Sequence, residues 1–350
     1  MFSIFSERSF LASPSTPHAA ILIPFWGTNP KPPGDPDNGR FDRYAEVGNS
    51  FLRLSALADC NVAVFPQNWE SAAERALELG ERFVAMCRDA GKMAVVFSGA
   101  DSTDSLPVEA TTFRTSLLRS RRLPHEYASP AWSEDLLNRC FDGKLRLRPK
   151  GARPVVGFCG NPSLVPSRRT MTSAARRLLG GRMAGTTRGI TGTHPRLEAL
   201  RAVESDRRLE ANFVLRRGFW AGASQDPSSL RQARDEYVRN MLDSDYVLCV
   251  RGIGNFSYRL YETLSMGRIP VFVDTDCVLP LEFDVDWREH CVWVDESEID
   301  QIGDRVLGFH ESMDEAELKE RQRACRDLWE RSISPEGFFA SFHRHFEQPA

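Results

Sequence analysis

The sequence lacks the features of a membrane-spanning or secreted protein. None of its apolar runs approaches the roughly 18 residues that a membrane span needs, and the amino terminus has no basic segment before its short apolar runs. Its eight cysteines form no C-x-x-C pair and lie scattered in apolar runs, as reduced, buried thiols do. These absences predict a cytoplasmic protein without a disulfide framework, a zinc site or a transmembrane segment.

The sequence also has little net charge. A formal charge of −3 gives no electrostatic reason to expect nucleic acid as a partner, while peripheral contact with a membrane is left open. The charge is uneven, because residues 161–220 contain twelve arginines and no lysine against four acidic residues. This local excess indicates either solvated, arginine-rich helices or an electropositive wall beside an anionic substrate.

What the sequence does contain is an alternation of short apolar runs and helical patterns. Strands separated by helices form parallel sheets, so the pattern predicts two sequential α/β domains. The basic stretch KLRLRPKGARP divides them, giving domains 1–150 and 151–350, the second with closing carboxyl-terminal helices. The predicted strands are AAILIPFW (19–26), NVAVFP, KMAVVFSGAD, ATTFRTSL, VVGFCG, NFVLRRGF, YVLCV, IPVFV and CVWV. An amphipathic segment lies near 41–58, helices are predicted near 69–90, 169–180, 228–242 and 257–266, and RRLPHEYASPAW is predicted to be turn-rich.

A glycine-containing turn lies in the stretch VRGIGNFSYRLYETLSMGRIPVFVD (250–274), between a predicted strand and a predicted helix. Ser257 is expected to cap the helix, and Gly267 suits the left-handed position after its end. Such a junction presents backbone N–H groups and the positive end of a helix dipole to an anion. A tight turn can also require glycine for structural reasons alone, so the turn by itself identifies no ligand.

A dinucleotide and a nucleoside triphosphate are two phosphate-containing ligands whose binding motifs can be compared with this turn. Gly252-x-Gly254-x-x-Ser257 approximates the dinucleotide-binding pattern, and Asp274 ends the next strand at a suitable distance. Serine replaces the third small residue, however, and a hydride-transfer cofactor leaves Arg251 unexplained. The triphosphate is excluded because no G-K-[S/T] follows the glycines.

A nucleotide sugar accounts for more of the residues. Arg251 and Arg259 can face the same diphosphate, and Glu262 can accept hydrogen bonds from two ribose hydroxyls. The alternative for Arg259 and Glu262 is an ordinary ion pair on a helix surface. The residues predicted to bind the donor are Arg251, Gly252, Gly254, Asn255, Ser257, Arg259 and Glu262.

Residues 244–294 resemble the signature of exostosin-type glycosyltransferases. That family carries a strand ending in C-x-R-G, a serine and R-L-Y-E in the next helix, then G-x-I-P-V, an acidic pair, V-L-P and D-W, which this sequence matches in order. The resemblance implies a GT-B architecture, in which two Rossmann-like domains face each other across a cleft and the carboxyl-terminal one holds the nucleotide sugar. It also implies inversion at the anomeric carbon.

A metal site is the alternative use of the acidic residues after the strand IPVFV. Asp274-Thr275-Asp276 has the D-x-D spacing with which carboxylates hold Mg²⁺ or Mn²⁺ beside a diphosphate. The same spacing recurs at 243–245 and 284–286, so the D-x-D pattern has little specificity in this sequence. If Arg251 and Arg259 neutralise the diphosphate, a metal is unnecessary. We therefore expect that no metal cofactor is required.

An inverting transfer also needs a general base, which we expect at the carboxyl end of a strand in the first domain. Asp101 is the preferred candidate and Glu126 the second, followed by Asp104 and Asp35. Local backbone hydrogen bonds in a turn are the alternative role for Asp101 and Asp104.

These residues and the resemblance together predict a glycosyltransferase that uses a nucleotide-sugar donor, with UDP favoured, and a glycan or glycolipid acceptor, and the resemblance implies that it inverts the anomeric carbon. Two alternatives remain open. One is a non-catalytic glycan- or nucleotide-binding module on a degenerate GT-B fold, although intact charges at Arg251, Arg259 and Glu262 argue against it. The other is an NAD-dependent oxidoreductase.

Overall fold

Two β-sheets follow one another along the chain in this computed structural model. The structure describes residues 1–31, 39–69, 74–162, 193–216 and 226–347. Within them every strand pairing is parallel. Two successive parallel α/β units confirm the predicted fold class.

The first sheet has six strands in the order β2-β1-β3-β4-β5-β6. They are β1 (Phe2–Phe5), β2 (Leu52–Leu54), β3 (Val62–Val64), β4 (Ala94–Ser98), β5 (Thr111–Arg114) and β6 (Glu126–Ala128). The helices of this part are α1 (Ile23–Trp26), α2 (Asp42–Val47), α3 (Glu74–Asp89) and α4 (Leu136–Phe141). All five residues of the central strand β4 are buried, as expected for a strand of a parallel sheet.

The second sheet has five strands in the order β11-β10-β9-β7-β8. They are β7 (Val155–Gly160), β8 (Glu210–Leu215), β9 (Tyr246–Cys249), β10 (Ile269–Asp274) and β11 (Val292–Asp295). The helices of this part are α5 (Thr193–Ser205), α6 (Pro227–Leu242), α7 (Tyr258–Ser265), α8 (Ile302–Glu311) and α9 (Glu315–Leu328), followed by α10 (Pro335–Ala340). The predicted helix near 169–180 lies outside the described residues.

The predictions for the first sheet were wrong at one predicted strand and missed three others. Residues 19–26 form a short 3₁₀ turn and α1 instead of a strand, because Pro24 suits the first turn of a helix and cannot donate to a β-ladder. The first strand is FSIF, at the amino terminus. Strands β2 and β6 have three residues each, too few to show an alternating pattern.

The last helix packs against the first sheet, although the sequence had assigned it to the second domain. Phe338, Phe339 and Phe342 are fully buried in the core around the first sheet. The ring of Phe342 lies 4.9 Å from that of Phe113 on β5. The carboxyl-terminal segment therefore packs against the amino-terminal part of the chain, because its aromatic side chains bury apolar surface there. For the rest of the chain, the domain boundary at residue 150 stays a prediction.

The two sheets meet at the carboxyl ends of their strands. The segment after β5 contacts the segment after β10 through a β-bridge between Leu118 and Cys277. The backbone N–H of Arg119 donates to the carbonyl of Asp276 at 2.9 Å, and its guanidinium donates to the carbonyl of Cys277 at 2.8 Å. Parallel sheets bring their ligand-binding loops to these ends, so this arrangement places the predicted site residues near one another.

Candidate donor site

The predicted turn joins β9 to α7 at the carboxyl edge of the second sheet. Its shape is held by a hydrogen bond from the N–H of Gly252 to the carbonyl of Phe256 at 3.2 Å. Ser257 occupies the N-cap position of α7, but its hydroxyl makes no capping hydrogen bond. Gly267 has a φ of +59°, so it takes the left-handed conformation expected after the helix.

Gly254 lies at a close contact between the two halves of the molecule. A Cβ atom added there would lie 2.5 Å from the ring of Phe256 and 2.7 Å from Oδ1 of Asp101. Any larger residue would therefore push Asp101 away from the turn. Gly252 is less constrained, since an added Cβ would meet only an Arg196 Nη2 atom at 3.8 Å.

Asp101 lies three residues beyond β4, opposite this turn. Its carbonyl accepts a hydrogen bond from Ser116 at 3.0 Å, and the Ser116 hydroxyl accepts one from the N–H of Asn255 at 2.8 Å. The residue is exposed, but its carboxyl group lies against Gly254. The resulting partial burial raises the pKa of the carboxyl, and a hydrogen bond from the Gly254 N–H opposes that shift. Its role as a base stays a prediction.

Asn255 is buried and holds the two halves together. Its side-chain amide donates to the carbonyls of Leu117 at 2.8 Å and Asp276 at 3.1 Å. Its Oδ1 atom accepts from Thr275 at 2.7 Å and from Arg251 at 3.2 Å. Because its N–H groups already donate within the protein, Asn255 stabilises the shape of the turn. It does not bind the nucleotide sugar directly, as we had predicted it would.

The two predicted cations lie at opposite ends of the turn. Arg251 follows β9 and donates to Asn255 and, at 3.3 Å, to the carbonyl of Ile253. Arg259, in the first turn of α7, donates to the carbonyl of Cys159 at 2.8 Å and lies 4.2 Å above the ring of Phe158. Within the described residues, Arg259 has no carboxylate partner.

Glu262 faces a different partner from the one the sequence indicated. Its carboxylate accepts hydrogen bonds from the hydroxyl of Tyr237 and, at 3.3 Å, from Arg234. The side chain is 14% exposed, and Arg234 also pairs with Glu134 at 2.9 Å. Burial, followed by the charge of Glu262, raises the pKa of Tyr237. A ribose at Glu262 would therefore share a carboxylate that is already held in position.

Arg196, in the first turn of α5, contacts the backbone at the start of this turn and was not among the residues predicted from the sequence. It is 8% exposed and donates to the carbonyls of Asn161 and Val250 at 3.1 and 3.2 Å and of Arg251 at 2.7 Å. Burial, and then the charge of Arg259, lowers its pKa to about 9. Nothing in the pattern separates it from the other arginines between residues 161 and 220, so only the excess of charge pointed towards it.

Glu126 is not placed to act as a base. It forms an ion pair with Arg114 at 2.7 Å, with each side chain only 2% exposed, and it accepts the N–H of Leu123 at 2.9 Å. Arg114 also donates to the carbonyls of Ser102 at 3.0 Å and Asp104 at 2.6 Å. The pair therefore fixes the loop that carries Asp101, which corrects the prediction.

The remaining acidic candidates are used in local structure. Asp104 accepts a hydrogen bond from the Ser102 hydroxyl at 3.3 Å, as in the alternative turn role, and residue 35 lies outside the described residues. Asp274 accepts the N–H of Cys277 at 2.8 Å, and partial burial raises its pKa. Asp276 accepts from the N–H and hydroxyl of Ser120. Across the described ranges, no three His, Cys, Asp or Glu residues cluster as metal ligands would.

Comparison with known proteins points to the same exostosin family that the sequence motif resembles. The model of the exostosin GT47 domain matches residues 110–307, more than half of the chain. Exostosin-1 of Drosophila melanogaster is 30% identical over 106 residues, which are 30% of this chain and 13% of that protein. A probable glucuronosyltransferase of Oryza sativa subsp. japonica is 37% identical over 71 residues, 20% of this chain and 16% of that protein. The chain thus aligns with a small part of each relative.

Two solved structures show distant likeness. The crystal structure of TarM aligns with 73% of this chain and 55% of its own, at 11% identity and a TM-score of 0.32. The glycosyltransferase from Rickettsia africae ESF-5 aligns with 87% of this chain and 88% of its own, at 8% identity and a TM-score of 0.34.

The exostosin match contradicts the predicted cytoplasmic location. Exostosin-family glycosyltransferases reside in the Golgi membrane as type II proteins. The prediction had relied on scattered cysteines and on missing targeting signals, which are weak guides to compartment. Among the helices of the described ranges, none has the length and apolar character of a bilayer span.

Proposed function

The chain belongs to the exostosin GT47 family, and from that membership we propose that it transfers a sugar from a nucleotide-sugar donor to a hydroxyl group of a glycan or glycolipid acceptor. The observation that carries the proposal is the cationic turn after β9. Arg251 and Arg259 flank it, and Arg259 has no carboxylate partner within the described residues. Such a site suits a departing diphosphate, whose charge develops as the glycosidic bond breaks.

The reaction we propose is a single displacement with inversion. The acceptor oxygen bonds to the anomeric carbon, the nucleoside diphosphate leaves with the electron pair of the broken C–O bond, and Asp101 takes the proton of the acceptor hydroxyl. The position of Asp101 beside Gly254, at the junction of the two sheets, supports this role. Its raised pKa makes it a stronger base than an ordinary aspartate.

We further propose that the donor is UDP-linked and that the reaction needs no divalent metal. The arginines and the positive amino end of α7 would neutralise the diphosphate. The name of the rice relative makes UDP-glucuronic acid the first sugar nucleotide to test.

Nucleotide binding tests the donor site directly. We expect UDP to raise the melting temperature, since a ligand at about a hundred times its Kd adds about 2.7 kcal/mol to the free energy of unfolding. Uridine serves as the control without phosphate. If UDP, GDP, ADP and deoxythymidine diphosphate all leave the melting temperature unchanged at millimolar concentration, the donor site is wrong. NMR of the anomeric proton of the product then tests inversion.

A further inference from the structure

Two positively charged side chains share one aromatic ring beneath the turn. The guanidinium carbon of Arg259 lies 4.2 Å from the ring centroid of Phe158, and that of Arg196 lies 6.0 Å from it. The Nε atom of each arginine is buried without a hydrogen-bond partner among the described residues. Like charges that are shielded from water repel each other strongly. Another interaction must therefore offset the repulsion between Arg196 and Arg259.

The partners of Arg196 show what it holds. Its three acceptors are backbone carbonyls, one just beyond the end of β7 and two at the end of β9. Within the described residues it has no carboxylate partner, whereas buried charges in proteins are normally paired. Arg196 therefore ties together the two strand ends below the turn and brings there a positive charge that no carboxylate of the described residues compensates.

We propose that Arg196 is a positioning residue of the donor site, which fixes the ends of β7 and β9 under the glycine turn and keeps there a positive charge that the diphosphate of the donor neutralises. This inference rests on the proposed function and adds a residue outside the sequence motif. Arg196 and Arg259 repel each other. A bound diphosphate attracts both guanidinium groups and offsets their mutual repulsion, so the anion binds more tightly than Arg251 and Arg259 alone would allow.

The charge of Arg196 depends on pH in a range that an experiment can reach. Burial, and then the charge of Arg259, lowers its pKa to about 9. Among the described residues, the charged groups near it are Arg259 from α7, whose charge lowers its pKa, and Arg251 after β9, whose carbonyl accepts its hydrogen bond. The Cys159 thiol on β7, whose pKa burial raises, lies near Arg259. An anion that prefers the protonated form of Arg196 binds progressively more weakly as the pH rises through about 9.

Inorganic pyrophosphate is the probe, because it has neither base nor sugar. Calorimetric titration of the whole chain below about pH 8 should show an affinity loss of roughly tenfold or more for Arg196→Gln. Arg196→Lys keeps the charge and should retain most of the affinity. The exposed Arg201 of α5 supplies the matched control, and Arg201→Gln should bind like the unaltered protein.

The pH profile distinguishes a charge that meets the ligand from a merely structural arginine. The affinity ratio of the unaltered protein to Arg196→Gln should shrink as the pH rises through about 9, while the ionisation of pyrophosphate itself cancels in the ratio. A pH-independent ratio, or equal affinities, would overturn the inference and leave the proposed function standing. A ratio that stops changing in the Cys159→Ser background would also overturn it, by assigning the titration to the thiol.

If Arg196→Gln does not fold, the lysine variant supplies the test. Its affinity should fall at lower pH than that of the unaltered protein, since the ordinary pKa of lysine is about 10.4 and that of arginine is at least about 12.5. Identical profiles would contradict the inference. Absence of any pyrophosphate or UDP binding to the unaltered protein would overturn the donor site and the inference together.

Discussion

Arg114 and Arg196 are both buried arginines near the carboxyl ends of parallel strands, yet their partners differ. Arg114, in the first sheet, pairs with Glu126 and donates to two carbonyls of the loop that follows β4. Arg196, below the second sheet's turn, donates to carbonyls and has Arg259 as its charged neighbour. A cation paired inside the protein supports the fold. Arg196, which has no carboxylate partner among the described residues and lies beside a second cation, fits the proposed contact with an anion from outside.

The difference also separates the two predicted bases. Glu126 belongs to the paired region and is closed off from solvent, whereas Asp101 lies at the junction between the two regions. Both are carboxylates near strand ends in the sequence. Their surroundings differ, because one has a buried arginine beside it and the other has a glycine N–H.

The largest expected effect follows from Asp101→Asn. Asparagine keeps the shape of the side chain but takes no proton, so kcat should fall by about 10²- to 10⁴-fold while UDP affinity stays within a few-fold. In the unaltered enzyme, kcat should rise with pH through a pKa above that of an ordinary aspartate, because partial burial raises it. Steady-state kinetics over pH, with UDP titrations, measures both. A near-normal kcat in the variant would assign Asp101 to turn structure alone.

Glu126→Gln should affect stability rather than chemistry. Removing one partner leaves Arg114 charged and buried, which costs about 3–5 kcal/mol in the free energy of unfolding. Urea unfolding measures this cost, and the double variant with Arg114→Met is the control that should recover much of it. In the folded fraction, kcat should remain within a few-fold of normal. A collapsed kcat with normal stability would reverse the assignment and make Glu126 the base.

Arg259→Ala should show the opposite behaviour, with binding affected and folding preserved. Loss of a charge-assisted contact to phosphate costs about 1.5–3 kcal/mol in UDP affinity. Alanine and arginine have similar helix propensities, so the melting temperature of the empty protein should change little. Arg201→Ala on the exposed face of α5 is the matched control. Equal UDP affinity in the Arg259 variant and the unaltered protein would place Arg259 outside the site.

Glu262→Gln sharpens the division between sugar and phosphate recognition. If Glu262 accepts hydrogen bonds from the ribose, UDP affinity should fall by about 0.5–1.5 kcal/mol, while pyrophosphate affinity stays unchanged. Calorimetry with both ligands gives the difference. Equal losses for the two ligands would show that Glu262 acts only through Tyr237 and Arg234, by keeping α7 in place.

The smallest expected effect is that of a chelator. Once a donor is identified, transfer should continue in excess EDTA, because the arginines and the positive amino end of α7 neutralise the leaving diphosphate. The measurement is the rate of product formation with and without EDTA, followed by addition of Mn²⁺. Activity that disappears and returns with the metal would instead make Asp274 and Asp276 ligands.

The sequence by itself determined the parallel α/β class and the position of the cationic turn. Long apolar runs between helical patterns, such as those of β4, β7 and β10, are local properties of the chain and require no knowledge of its neighbours. The order of motif residues from Arg251 to Glu262 likewise lies within one short stretch. Strands of three residues, such as β2 and β6, are too short to show a period, so they were found only in the folded chain.

Only the tertiary structure decided which charges meet. Glu126 is buried because Arg114 lies beside it, and Glu262 faces Arg234 and Tyr237 because α6 packs there. Arg196 reaches the turn although 55 residues separate it from Arg251. Electrostatic interaction depends on distance and burial, and neither can be read from spacing along the chain when the partners belong to different elements.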